Sequence, residues 1–141
     1  LYDANAPLSA HASRVVLEIT ERERIEDVRD ARERIASLRA MGYRVAVDDV
    51  GGGYSGLSSI VDLEPDIAKI DMALVRGVHE SKLKRGLVRA VVGVCAESGI
   101  TVICEGVETA GERACLEGLG PTLMQGYLFA RPGPPLPPVT F

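Results

Sequence analysis

Five short hydrophobic runs, each closed by an acid, a lysine or a glutamine and each followed by a segment of helical period, constrain this chain more than any other feature. The polar closures are Glu18, Asp48-Asp49, Lys69, Glu105 and Gln125. Strands apolar on both faces belong in a parallel sheet covered by helices. A charge at the end of such a strand gains nothing from burial unless it is solvated, paired or used, because a lone buried carboxylate is strongly penalised or protonates. The repeat of strand, polar end and helix therefore predicts an α/β fold in which the carboxyl ends of parallel strands converge on one mouth.

The first strand is expected over Val15 to Thr20. A helix with apolar positions Ile25, Val28, Ile35 and Leu38 follows and runs to Met41, with Gly42 where a left-handed cap belongs. Arg44 to Asp49 reads as the second strand. After it come a glycine loop, Gly51 to Gly56, and a short helix from Leu57 to Leu63 that Pro65 stops. The third strand is placed at Ile67 to Asp71, and a long helix at Lys82 to Ser98 closes on Gly99. Thr101 to Glu105 forms the fourth strand, and Thr109 to Glu112 has the form of a capping box that opens a helix ending near Gly120. The fifth strand is expected over Thr122 to Phe129, followed by an extended, proline-rich stretch from Arg131 to Pro138 that reads as a terminus or linker.

The chain has 141 residues, enough for one domain with a real core. With 46% hydrophobic and 26% charged residues it reads as neither disordered nor membrane-inserted, and no apolar stretch reaches the ~18 residues of a spanning helix. A net charge of −4 disfavours a DNA duplex as partner. Cys95, Cys104 and Cys115 are odd in number and have no zinc spacing, so they are expected to be small buried hydrophobes in a reducing, cytoplasmic setting. His11 and His79 have no metal-ligand spacing, which disfavours a histidine-based site. The first residue is Leu1, from which a fragment or processed product is expected.

Neighbouring parallel strands lie about 4.8 Å apart, so acids at adjacent strand ends repel unless a cation intervenes. The donors are all oxygens, which selects hard ions such as Mg²⁺ or Mn²⁺ over zinc. Asp48 and Asp49 would point to opposite faces of a regular strand, but both can turn to one site where the strand breaks, serving two metals about 4 Å apart as in phosphoryl displacement. Lys69 could orient a water or balance developing charge; its plainer role is a structural ion pair. Gly51, Gly53 and Gly56 also satisfy the dinucleotide pattern G-x-G-x-x-G. The two preceding aspartates would oppose a pyrophosphate and the following helix is short, so a loop in which glycine permits unusual torsions is the better reading.

Taken together, Leu17-Glu18-Ile19-Thr20-Glu21, Val47-Asp48-Asp49-Val50-Gly51-Gly52-Gly53-Tyr54-Ser55, Lys69-Ile70-Asp71, Glu105-Gly106-Val107-Glu108 and Gln125-Gly126-Tyr127 resemble the later motifs of EAL-domain cyclic di-GMP phosphodiesterases. Arg131-Pro132 resembles the family's closing segment, so the likeness runs from about Val15 to Pro132. The resemblance implies a modified TIM barrel that binds two Mg²⁺ or Mn²⁺ ions at its strand ends and hydrolyses cyclic di-GMP to linear pGpG. It implies Glu18 and Asp48 as metal ligands, Asp49 as ligand or bridge to the second metal, and Glu105 as a ligand of the metal or of its water. Lys69 would orient the attacking water, Glu108 and Gln125 would support substrate or water, and Glu21 would brace the glycine loop, which in the family also joins the dimer interface. Val50 and Gly52 stand where the family usually has Phe and Thr or Ser, and Gly52 is expected to loosen the loop.

The departure with consequences lies upstream. The family takes a further metal-ligating Glu from its Glu-Ala-Leu motif and an Asn from the next strand, and this chain contains no Glu-Ala-Leu. Asn5 is its only asparagine, and residues 6 to 17 are barely the dozen or so that a parallel crossover requires before Glu18. About five β/α units of a TIM-barrel-like fold are therefore expected. Residues 1–14 would form a leading segment, 15–132 a partial EAL domain lacking its N-terminal strands, and 133–141 a proline-rich tail. Such a piece has two open sheet edges, which either the rest of a longer protein or a second copy in a homodimer must cover. Two functions remain open: a phosphodiesterase completed elsewhere, or a catalytically inactive module that binds cyclic di-GMP or a protein partner.

Overall fold

The computed structural model describes residues 7–20, 28–52, 56–120 and 123–133, and in them five strands form one parallel sheet. In chain order the elements are β1 (Val16–Ile19), α1 (Val28–Ala40), β2 (Arg44–Val50), α2 (Gly56–Leu63), β3 (Ile67–Ile70), α3 (Met72–Val75), α4 (Lys82–Glu97), β4 (Thr101–Cys104), α5 (Ala110–Glu117) and β5 (Leu123–Met124). The sheet order is β1-β2-β3-β4-β5, every neighbouring pair parallel. An order that never reverses is that of a barrel wall; a doubly wound sheet would switch direction partway. The fold is thus α/β and TIM-barrel-like, a partial barrel of five strands.

The core lies where the apolar runs predicted it. All four residues of β3 are buried, and Val45, Val47, Ala68, Ile70 and Val102 pack with Val88, Val92 and Leu116 from the helices. A second, smaller cluster of Ala12, Leu38 and Tyr43 seats a 3₁₀ turn, Ser9–Arg14, against α1 and the turn that leads from it into β2. The expected caps form: Gly42 and Gly99 are left-handed (φ 96° and 73°), and Thr109 and Glu112 make the capping box. Cys95 and Cys104 are buried as expected, whereas Cys115 is half-buried; none of the three is in a disulfide.

Three expectations need correction. The fifth strand is two residues long, because the chain beyond Met124 turns back onto the segment after β4: Leu128 N–H donates to Val107 O and Phe129 N–H to Gly126 O. Asp71 leaves the third strand to cap α3, a one-turn helix that hydrophobic period does not reveal because it is too short to have one. Glu105 stands just past β4 rather than within it. The first helix is described from Val28, and the expectation that it begins at Ile25 falls outside the described residues, as does the tail from residue 134.

Candidate functional site

The central strand β3 carries Lys69, and the acids at three other strand ends reach it. Lys69 Nζ lies 2.9 Å from Asp48 Oδ1 on β2, 3.0 Å from Glu105 Oε1 just beyond β4, and 3.1 Å from Glu18 Oε1 on β1. β1 is two strands away from β3, roughly 10 Å at ordinary strand spacing, so only long side chains at both ends can close that gap. Four of the sequence-predicted site residues are therefore brought together. Lys69 is buried, Asp48 and Glu105 are mostly covered, and Glu18 is half-exposed at the mouth.

The strand irregularity expected at the paired aspartates is present. The β2–β3 register shifts between Val47 and Val50, and Asp49 takes a left-handed conformation with φ 58°, which aspartate tolerates better than most residues. Asp48 turns to Lys69, while Asp49 is half-buried at the bend. Gly52 stands against Asp71: a Cβ there would come within 2.9 Å of the Asp71 carboxyl carbon, so the loop's second glycine makes room for that side chain. Glu21 lies outside the described residues.

Burial is the strongest single influence on the Lys69 ammonium and acts to lower its pKa, but contacts with Asp48, Glu105 and Glu18 and the charge of Glu105 outweigh it, leaving the pKa above the ordinary lysine range. Glu105 is raised above the usual carboxylate value, chiefly by burial and further by the charges of Asp48 and Glu18, against the pull of Lys69. Three carboxylates facing one ammonium leave a formal excess of two negative charges. Asp48 Oδ1 is buried and, beyond its ionic contact with Lys69, has no directed hydrogen bond.

An oxygen-only donor set and excess negative charge fit a hard divalent cation. Among the described residues no three His, Cys, Asp or Glu side chains are disposed to hold an ion as they stand. The acids converge on the ammonium instead.

Glu108 and Gln125 frame the rim. Glu108 is exposed and pairs with Arg76, Nη2 to Oε1, at 2.5 Å. Gln125 is exposed at the end of β5, its backbone N–H donating to Cys104 O and its carbonyl accepting from Val107 N–H. Gly126 lets this ladder form, since a Cβ on it would lie 2.1 Å from Val107 O, backbone that cannot step aside. Two charged residues behind the rim were not expected as site residues from the sequence. Arg76 is 32 positions from its partner Glu108, and buried Glu112 accepts from Gly77 N–H 35 positions away. Only the capping-box pattern signalled Glu112, and nothing local signals its distant partner.

The model of the EAL domain family matches residues 4–132. The chain is 40% identical over 118 residues to the cyclic di-GMP phosphodiesterase PdeR of Escherichia coli, an alignment covering 84% of this chain and 18% of that protein. It is 36% identical over 117 residues to the blue light- and temperature-regulated antirepressor BluF of the same organism, covering 83% and 29%. The manganese and cyclic di-GMP complex of Klebsiella pneumoniae BlrP1 superposes with a TM-score of 0.79 at 44% identity, over 86% of this chain and 31% of that one. The chain thus spans less than a third of each of these proteins. With the family model covering nearly all of it, and the five polar strand ends arrayed along one parallel sheet, this chain belongs to the EAL domain family.

Proposed function

We propose that this chain forms the later strand ends of a two-metal phosphodiesterase site that hydrolyses cyclic di-GMP to pGpG, the remaining strands and ligands coming from the rest of a longer protein. The observation that carries the reading is the junction of Glu18, Asp48 and Glu105 on Lys69 Nζ at 2.9 to 3.1 Å. Likeness to PdeR and to the manganese-bound BlrP1 complex supports it. Residues 15–132 are assigned to the domain, with 1–14 leading into it and 133–141 as a tail.

Glu18, Asp48, Asp49 and Glu105 would hold Mg²⁺ or Mn²⁺, which when bound supplies Lewis acidity and charge neutralisation at a phosphodiester. Lys69, kept protonated by its acidic neighbours, donates hydrogen bonds at Nζ and so can orient an attacking water and offset charge gathering on phosphate oxygens. Glu108 and Gln125, exposed at the rim, position substrate or water. The water oxygen bonds to phosphorus as the bond from phosphorus to one ester oxygen breaks, and the proton the water gives up is matched by one taken up, through solvent, by the leaving oxygen, which becomes a hydroxyl as the ring opens.

Among the described residues β1 pairs only with β2 and β5 only with β4, so both edges call for cover from the missing N-terminal strands or from a second copy in a homodimer. None of the helices described is long and apolar enough to cross a membrane. We place the domain in the cytoplasm on its three cysteines, odd in number and not in disulfides.

The test is hydrolysis of cyclic di-GMP by the intact protein with Mg²⁺ or Mn²⁺. Glu18→Gln and Lys69→Ala should each lower kcat by about a hundredfold or more. Turnover that survives Lys69→Ala overturns the mechanism. A second reading, a non-catalytic module that binds cyclic di-GMP or a protein, is favoured by likeness to a protein named as an antirepressor. Binding of cyclic di-GMP without pGpG release would establish it.

A further inference from the structure

Beneath the Arg76–Glu108 pair lies one buried carboxylate, Glu112, 4% exposed. Its Oε2 accepts from the backbone N–H of Glu108 at 2.9 Å and of Thr109 at 3.0 Å. Its Oε1 accepts from Gly77 N–H at 2.8 Å. Capping α5 needs only the first oxygen together with the Thr109 hydroxyl, which accepts from Glu112 N–H at 3.2 Å. The bond to Gly77 does nothing for that helix. It reaches the loop between α3 and α4, at the residue next to Arg76, whose own carbonyl accepts from Lys84 Nζ at 2.6 Å.

One side chain therefore fixes the backbone under both members of the ion pair: Glu108 itself and the neighbour of Arg76. Burying a full charge for this is costly unless every lone pair in play is met by a donor, as happens here with three N–H groups.

We infer that Glu112 is a positioning residue: it sets where the Glu108 carboxylate stands at the rim, and so governs substrate affinity through Glu108 without touching substrate. This rests on the rim role proposed for Glu108, but the clamp is separately measurable. In the intact protein, Glu112→Ala should raise KM for cyclic di-GMP about tenfold while kcat stays within about threefold, the signature of lost ground-state positioning. Glu112→Gln, which keeps one carbonyl acceptor, should return KM to within about threefold of the parent. Thr109→Ala removes the helix cap but leaves the clamp, and should lower stability with no change in KM. Amide hydrogen exchange at Gly77 and Glu108 should quicken about tenfold or more in Glu112→Ala.

An unchanged KM in folded Glu112→Ala, or an equal rise in Thr109→Ala, overturns the inference and leaves Glu112 a cap. If the parent protein does not turn over cyclic di-GMP, the proposed function fails while exchange still decides the clamp: protection unchanged at both amides overturns it. Should Glu112→Ala not fold, exchange in Glu112→Gln carries the test: its amide keeps one acceptor where the carboxylate has two, so either Gly77 or Glu108 N–H must exchange faster than in the parent, and unchanged protection at both overturns the inference.

Discussion

Lys69 and Glu112 are the two buried charged side chains among the described residues, and they are accommodated in opposite ways. Lys69 is met by three full charges from three strand ends, more than it needs, leaving an acidic surplus and a buried Asp48 oxygen without a directed hydrogen bond. Glu112 is met by three backbone dipoles and a helix cap, with no carboxylate or ammonium competing. The first arrangement is unsaturated and can accept a cation; the second is closed and can only hold the chain in place. Burial of charge alone does not mark a reactive site. What separates the two is whether the surroundings over-supply charge or balance it.

The largest test of this contrast removes the ammonium. Lys69→Met leaves Glu18, Asp48 and Glu105 facing one another and should destabilise the intact protein in chelator by about 3 kcal/mol, the low end for breaking a buried ion pair because Glu18 is half-exposed. Saturating Mn²⁺ should recover more stability in this variant than in the parent, since ligand binding to the folded state adds stability in proportion to its affinity. Urea unfolding with and without the metal reads both effects. A variant as stable as its parent in chelator would break the contrast.

Glu112→Ala should cost about 2 kcal/mol, because it leaves three backbone donors without their acceptor, and added Mn²⁺ should not change that loss. Metal-dependent recovery in this variant would mean that the two clusters are one site.

The same residue predicts a pH dependence. Burial acts to raise the Glu112 carboxyl, but hydrogen bonds from Gly77, Glu108 and Thr109 outweigh it and hold the pKa below the ordinary value of 4.5. A folded-state pKa below the unfolded one contributes stability that is full above the unfolded value and is lost as pH falls through the folded one. The stability gap between the parent and Glu112→Gln should therefore be constant near neutrality and shrink only once pH drops below 4.5. A gap that shrinks between pH 7 and pH 5 would assign the effect to another group.

Much of this was legible in the sequence, and the reasons differ by element. The apolar runs leading to Asp48 and Lys69 mark strands directly, because burial on both faces leaves little choice of residue, and the run at Glu18, on a partly covered edge strand, repeats the pattern. Thr109 and Glu112 announce a helix start three residues apart, a purely local signal. The run after Gly120 misled, because Leu128 and Phe129 are apolar for packing on the core, not for pairing in a strand. Helix α3 was silent, since four residues cannot display a period. The Lys69 junction was expected as a gathering of strand ends, whereas the Gly77–Glu112 bond joins a loop to the first turn of α5 and leaves no trace in spacing. Polar groups at strand ends inherit their meeting from topology; a contact between a loop and a distant helix depends on geometry that no periodicity encodes.

The smallest effect belongs to the residue beside Glu112. Arg113 pairs with Glu117 one turn along α5, Nε to Oε1, at 2.8 Å, closer than any contact of Lys69. If distance set the value of an ion pair, this would be among the strongest in the molecule. Both side chains are about half-exposed, so water and salt screen the attraction and two long side chains lose rotamer freedom to maintain it. Arg113→Ala should change stability by about 0.5 kcal/mol or less, and by less still in 1 M salt. Lys69→Met should keep most of its penalty in the same salt, because its partners are largely shielded from counter-ions. Denaturation of both variants at low and high ionic strength separates them, and an equal salt response would show that the Lys69 junction is solvated, removing the ground for treating it as a site.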